Sequence, residues 1–90
     1  MIYNPIIHNN KIVCPRCDGN GFLYQTIIEP VHESIIMCDE CEAVWPSNSK
    51  FINKTNFRDF STYIQGLGYT YEEVELTAIN YNWYSKQKNN

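Results

Sequence analysis

Residues 14–45 read CPRCDGNGFLYQTIIEPVHESIIMCDECEAVW, and the two C-x-x-C pairs in this stretch decide the fold. Cys14-Pro15-Arg16-Cys17 and Cys38-Asp39-Glu40-Cys41 are separated by twenty residues, a spacing that belongs to the class of paired C-x-x-C zinc sites. Each pair predicts a knuckle whose two sulfurs point the same way. Two knuckles on adjacent hairpin ends then complete a tetrahedral cage with Zn–S distances of about 2.3 Å. Four protein sulfurs leave no open position for water or substrate, so Cys14, Cys17, Cys38 and Cys41 are expected to hold one structural Zn2+ and no catalytic metal. Iron or another thiophilic metal is the alternative for the same four sulfurs. Gly19 and Gly21 let the chain turn tightly after the first knuckle, where backbone N–H groups can donate to thiolates.

Competing uses of the cysteines fit less well. A thioredoxin-like redox pair needs one C-x-x-C on a βαβ frame, and neither the duplication nor the hairpin context matches it. Disulfides belong to oxidising compartments. The N-terminal Met1-Ile2-Tyr3-Asn4-Pro5 has neither a basic region nor a following apolar run, and no stretch has the length of a membrane span, so a cytoplasmic protein with reduced thiols is expected. His8 and His32 could in principle replace a thiol, but four thiols already suffice.

Outward from the knuckles, the pattern is that of strands. Phe22 to Ile28 is rich in β-branched and aromatic residues and predicts a strand. Pro30, His32, Glu33 and Ser34 form a polar break; Ile35-Ile36-Met37 then leads into Cys38, and Ala43-Val44-Trp45 leads away from Cys41 until Pro46. Residues 1–10 read as an arm, with an edge strand possible, interrupted by Pro5 and the Asn9-Asn10 pair. Beyond Ser47-Asn48-Ser49 the period becomes helical: Phe57, Phe60, Ile64 and Leu67 share one helix face, with Asn56 as the cap and Gly66 or Gly68 as the left-handed stop. Thr70 and Glu73 repeat a cap signature and predict a second, shorter helix over Tyr71 to Glu75. Ile79, Tyr81 and Trp83 alternate with polar neighbours and favour a final strand, although a helix through Val74, Ala78 and Tyr81 also fits.

The expected class is therefore α+β: small zinc-ribbon-like antiparallel β-hairpins with a four-cysteine site, then one or two short helices and a C-terminal strand. Ninety residues suit a single domain, residues 1–90, with a ribbon part at 11–46, a helical part packing on it at 47–84 and a frayed tail at 85–90. A chain this short buries only roughly 60–65% of its unfolded surface, so a metal staple is in keeping with its size. Hydrophobic residues at 43% and aromatics at 14% exclude a disordered tail.

Charge narrows the partner. The chain carries a formal −3, and from Cys14 to Trp45 one basic residue, Arg16, faces six acids: Asp18, Glu29, Glu33, Asp39, Glu40 and Glu42. A zinc ion held by four thiolates adds about −2 more. Nucleic-acid-binding ribbons rely on lysines and arginines near their knuckles, so this distribution argues against nucleic acid and for a cationic protein surface. The six acids are the expected contacts, with Tyr24 and Trp45 as aromatic anchors. For an enzyme there is no nucleophile motif, no Gly-rich phosphate loop and no convincing acid/base pair.

Cys14 to Gly21 reads C-x-x-C-x-G-x-G, which resembles one motif of the DnaJ cysteine-rich domain. The second pair lacks those glycines and a J-domain HPD is missing, so co-chaperone activity does not carry over. More of the chain is covered by a second resemblance. CPRCDGNGFLY, MCDECEAVW, NFRDFSTYIQGLG and NYNWY together resemble short bacterial zinc-ribbon proteins, some encoded beside polymorphic toxins of contact-dependent growth inhibition systems and taken as immunity proteins. The resemblance spans about residues 11 to 84. It implies a cytosolic, non-enzymatic antidote, a monomer that binds one cognate toxin domain 1:1; no family catalytic residues exist to transfer. A nucleic-acid-associated ribbon, with Arg16, Lys50, Lys54 and Arg58 in one patch, and a zinc-stapled scaffold subunit for another protein are the alternatives.

Overall fold

The computed structural model describes residues 6–17, 19–49 and 52–84. Five strands come first: β1 (Ile7–His8), β2 (Lys11–Val13), β3 (Phe22–Glu29), β4 (Glu33–Cys38) and β5 (Ala43–Pro46). They are followed by β6 (Arg58–Asp59), helix α1 (Phe60–Gly66), a 3₁₀ turn (Tyr71–Glu73) and β7 (Glu75–Asn80). All pairings are antiparallel in one sheet ordered β1-β2-β3-β4-β5-β6, with β7 also on β3. Because β2 takes Phe22 and Leu23 while β7 takes Gln25 to Glu29, the two strands share one edge of β3 end to end.

Side-chain parity places a core on each face. Leu23, Ile36, Cys38 and Trp45 alternate with Tyr24, Ile35, Met37 and Val44, and the two sets fall into separate buried clusters. The first cluster includes Ile12, Cys14, Ala43, Ile52 and Trp83, with Phe57 and Tyr84 against it. The second includes Ile28, Phe60 and Ile64, with Val74, Leu76 and Tyr81 against it. A sheet covered on both faces explains why Ile35-Ile36-Met37-Cys38 is an unbroken apolar run.

Several boundaries differ from the sequence expectation, each for a local reason. Asn9 and Asn10 do not break the arm; both have positive φ (54° and 65°) and form the two-residue turn between β1 and β2, the backbone that a hairpin of this length favours. The polar break after β3 is shorter, because Glu33 and Ser34 already pair with Ile28 and Ile27. Phe57 is not helical. Arg58 and Asp59 are extended and pair with Val44 and Ala43, so α1 starts only at Phe60. Asn56 caps nothing there: its carboxamide oxygen accepts the Trp45 indole N–H at 2.8 Å and the Asn53 N–H at 3.1 Å.

The far end of α1 follows the sequence. Gly68 has φ +92°, and the Gly68 N–H to Gln65 and Tyr69 N–H to Ile64 bonds, both 3.0 Å, make a Schellman stop. Glu73 accepts from the Thr70 N–H at 3.0 Å, as the cap signature required, but the helix it starts is a single 3₁₀ turn. The last strand is real and lies earlier than Ile79 to Trp83, because the edge of β3 available to it is opposite residues 75–80. A register shift between Gln25 and Ile27 interrupts that pairing, and the buried Thr26 hydroxyl donates to the Thr77 carbonyl at 2.7 Å there. Residues 47–84 are thus less a helical part than a return of chain to both edges of the sheet. The expected tail, 85–90, lies outside the described residues.

Candidate metal centre

The sheet carries both knuckles to one end of β3. Val13 pairs with Phe22, and the ladder runs one step further through the Cys14 N–H to Gly21 carbonyl bond at 3.0 Å. On the other side Cys38 pairs with Leu23, and the Asp39 N–H donates to the Phe22 carbonyl at 3.0 Å. The Asp39 carboxylate in turn accepts from the Phe22 N–H at 3.0 Å, which fixes the second knuckle to β3. At the first knuckle Gly19 takes φ +87° and donates to the Cys14 carbonyl at 3.3 Å.

Gly21 has a different role from the turn expected of it. A Cβ there would come within 2.5 Å of the Cys38 sulfur and 2.6 Å of the Glu40 Cβ, so the chain passes against the second knuckle at a distance only glycine allows. Close backbone approach is what lets the two knuckles meet.

The four sulfurs converge. Cys14 and Cys41 Sγ are 3.8 Å apart, Cys17 and Cys38 Sγ are 3.7 Å apart, and all four lie within 4.8 Å of one another. A disulfide would need about 2.05 Å, and all four cysteines are free. A regular tetrahedron with metal–sulfur bonds of about 2.3 Å has edges of about 3.8 Å, so the two cross-knuckle contacts already have the separation a tetrahedral ion requires. No other group of His, Cys, Asp and Glu side chains close enough to hold a metal ion occurs among the described residues. His8 stacks on Phe22, and His32 lies 2.9 Å from Glu29, both away from the sulfurs.

Burial and hydrogen bonding divide the ligands. Cys14 and Cys38 are fully buried, whereas Cys17 and Cys41 keep some exposure. Among the described residues the N–H···S bonds go to Cys38, from Glu40 at 3.3 Å and Cys41 at 3.4 Å, at the second knuckle rather than after the first. The Cys38 thiol is pushed up by its hydrogen bond with Cys14 and by burial, while the Cys41 and Glu40 N–H groups pull it down. Cys17 is raised mainly by burial. Metal ligation by thiols requires their deprotonation, so a dication here would act against the upward push on Cys17 and Cys38.

No family model matches this chain, and neither does any curated protein or solved structure.

The residues expected to contact a partner separate into three groups. Trp45 is 0% exposed and Tyr24 7%, so neither anchors a surface: parity turns one into each core, and the Trp45 indole is spent on Asn53 and Asn56. Asp39, Glu40 and Glu42 are exposed around the sulfurs, with Asp39 accepting from the Tyr81 hydroxyl at 2.8 Å and Glu42 from that of Tyr71 at 3.1 Å. Glu29 and Glu33 sit at the other end of the β3–β4 hairpin, roughly 20 Å away by strand rise, so the five acids among the described residues do not make one continuous face. Asp18 lies outside the described residues.

Glu33 accepts from the Tyr63 hydroxyl at 2.7 Å, and Glu29 stands opposite Glu75, beside a groove of about 310 Å³ that Glu72 and Glu73 also line. Of the four cations that a nucleic-acid reading needs in one patch, Arg16 and Arg58 are placed on opposite faces of the sheet. Arg58 pairs with Val44 and so shares the α1 face, while Arg16 lies over the Phe57 ring on the cysteine face; Lys50 is outside the described residues. Sequence reasoning missed the Arg16–Phe57 stack and the Trp83 indole, which donates to the Leu23 carbonyl at 3.2 Å beneath the site. No short-range spacing announces either. Among the described residues no helix is long and apolar enough to cross a membrane.

Proposed function

We propose that Cys14, Cys17, Cys38 and Cys41 hold one structural zinc ion in a ribbon-like cage, and that the domain it staples is a non-enzymatic inhibitor of a cationic protein. The observation that carries the metal reading is the cluster of four sulfurs within 4.8 Å of one another, with cross-knuckle separations of 3.7 and 3.8 Å and no competing ligand set among the described residues. Zinc is favoured over other thiophilic ions because it imposes no geometry of its own and accepts four thiolates in the closed arrangement of structural sites. All four positions are filled by protein, so the ion orders the chain and activates nothing.

The partner reading rests on charge and on the resemblance to immunity proteins. Asp39, Glu40 and Glu42 flank a centre that itself carries about −2, and together they offer a cationic surface an anionic end of the molecule. A basic nuclease-type toxin domain, bound 1:1 in the cytoplasm with its active surface occluded, fits that chemistry. Elemental analysis of the purified protein is expected to return one zinc per chain; absence of stoichiometric metal sinks the first reading. The product of a toxin gene immediately upstream is expected to co-purify with the protein and to lose activity at equimolar ratio. A toxin indifferent to excess protein removes the second.

A further inference from the structure

Arg16 lies between the two cysteines of the first knuckle, yet it reaches out of that knuckle in two directions. Its guanidinium stands 4.5 Å from the centre of the Phe57 ring, inside the range of a cation–π contact. It also donates to the Cys41 carbonyl at 3.5 Å, so a side chain of the first knuckle grips the backbone of the second. Phe57 itself packs against the cluster that contains Cys14 and Cys38. Stacking holds the charge beside the sulfurs in spite of its exposure. The charges around it are mostly negative: four thiolates around a dication would leave about −2, and Asp39, Glu40 and Glu42 add to it, while the Lys11 ammonium lies over the Phe22 and Tyr81 rings and Arg16 is the one Lys or Arg between Cys14 and Trp45.

We infer that Arg16 is a positioning and charge-compensating residue for the metal cage: it ties the first knuckle to the second through the Cys41 carbonyl, is held in place by Phe57, and places its charge next to the thiolates. The inference rests on the zinc reading above and deepens it. The stack and the hydrogen bond supply position, and the charge supplies affinity. The Asp59 carboxylate also attracts the guanidinium. A guanidinium suits the task better than an ammonium because its flat face stacks while its edge donates.

The test is zinc affinity measured by competition with a chromophoric chelator, at low and at high salt, for the wild-type protein, Arg16→Gln and Arg16→Lys. Arg16→Gln is expected to bind zinc about tenfold more weakly at low salt, and most of that difference is expected to vanish at high salt, where a charge effect between exposed groups is screened. Arg16→Lys is expected to recover the salt-dependent part and not the remainder. Equal affinity of Arg16→Gln and wild type at low salt overturns the inference. So does a loss that persists undiminished at high salt, which is what mere disruption of packing produces. Should Arg16→Gln fail to fold, Arg16→Lys decides alone: an affinity equal to the wild type at both salt concentrations overturns the positioning role. A wild-type protein that binds no zinc removes the cage itself, a result distinct from wild type and variants all binding alike.

Discussion

The two faces of one sheet are closed by different means. On the face of Tyr24, Ile35, Met37 and Val44 the cover is regular structure: Phe60 and Ile64 of α1 pack down, with Leu76 of β7 beside them. On the face of Leu23, Ile36 and Trp45 the cover comes from residues outside any strand, Ile52, Phe57, Trp83 and Tyr84, together with the cysteines. An amphipathic helix brings its own hydrogen bonds to the surface it seals. Ile52 and Phe57 lie in irregular chain and only Trp83 and Tyr84 begin a helical turn, so this face is pinned by side-chain bonds such as those of the Trp45 and Trp83 indoles and, on our reading, by the metal. On that reading, an ion held by the four cysteines would do for one face what the helix does for the other.

The strongest way to break that comparison is to remove the metal. Structural zinc contributes folding free energy of about 10 kcal/mol or more in small modules, so chelation, or Cys38→Ser, is expected to unfold much of residues 11–46. Both tryptophans lie on the cysteine face, at 0% and 3% exposure, so their emission is expected to shift to the red more completely than the far-ultraviolet helix signal is lost. Unchanged emission, circular dichroism and melting after chelation would mean that the cysteine face stands without the ion.

Truncation on the other face gives the reverse pattern. Ile64→Ala removes a buried side chain from the helix seal and is expected to cost about 2–5 kcal/mol, read as a lower melting temperature, while zinc stoichiometry stays the same. Gly21→Ala is smaller in stability but acts on the metal. Its Cβ meets the Cys38 sulfur at 2.5 Å, and the knuckle must shift; about 1–3 kcal/mol is expected, accompanied by weaker zinc binding in chelator competition. If Ile64→Ala weakened zinc as much as Gly21→Ala does, the two faces would be one cooperative unit.

How much of this was visible in the chain follows from the range of each signal. The C-x-x-C spacing is local at each end and needs only one hairpin between, so the convergence of the sulfurs was legible, as were the strands that flank them. The stop at Gly68 and the Thr70–Glu73 signature were legible for the same reason. Tyr24 and Trp45 were not: an alternating strand with one polar face and a strand buried on both faces look alike until the covers are known, and those covers come from residues 52–84. Phe57 shows the same limit. Its spacing to Phe60 suits a helix, but Arg58 and Asp59 found an open edge on β5, and Phe57 turned to the opposite core. The division of the acids between two ends of a hairpin is likewise a matter of strand length, which a count of charges does not contain.

The smallest effect separates, by pH, the two ends of the helix-covered face, against which both Tyr63 and Tyr81 pack. Burial and the hydrogen bond to Glu33 push the Tyr63 phenol up to about 12, and burial with the bond to Asp39 pushes Tyr81 up to about 12 as well. A folded value above the unfolded one, near ~10, means that each bond contributes its full stability below about pH 10 and loses it as pH rises toward 12. Tyr24, raised by burial, and Tyr71, raised by its bond to Glu42, also titrate late, and Tyr63→Phe and Tyr81→Phe are each expected to remove one phenol from the late phase of phenolate absorbance. Tyr81 is bonded to the second knuckle, whereas Tyr63 on α1 is bonded to the far end of the hairpin. Gly21→Ala, whose Cβ meets the Asp39 carboxylate as well as the Cys38 sulfur, is therefore expected to return Tyr81 toward the ordinary range while Tyr63 still titrates late. Simultaneous return of both would show that a disturbance at the second knuckle reaches the far end of the hairpin as well.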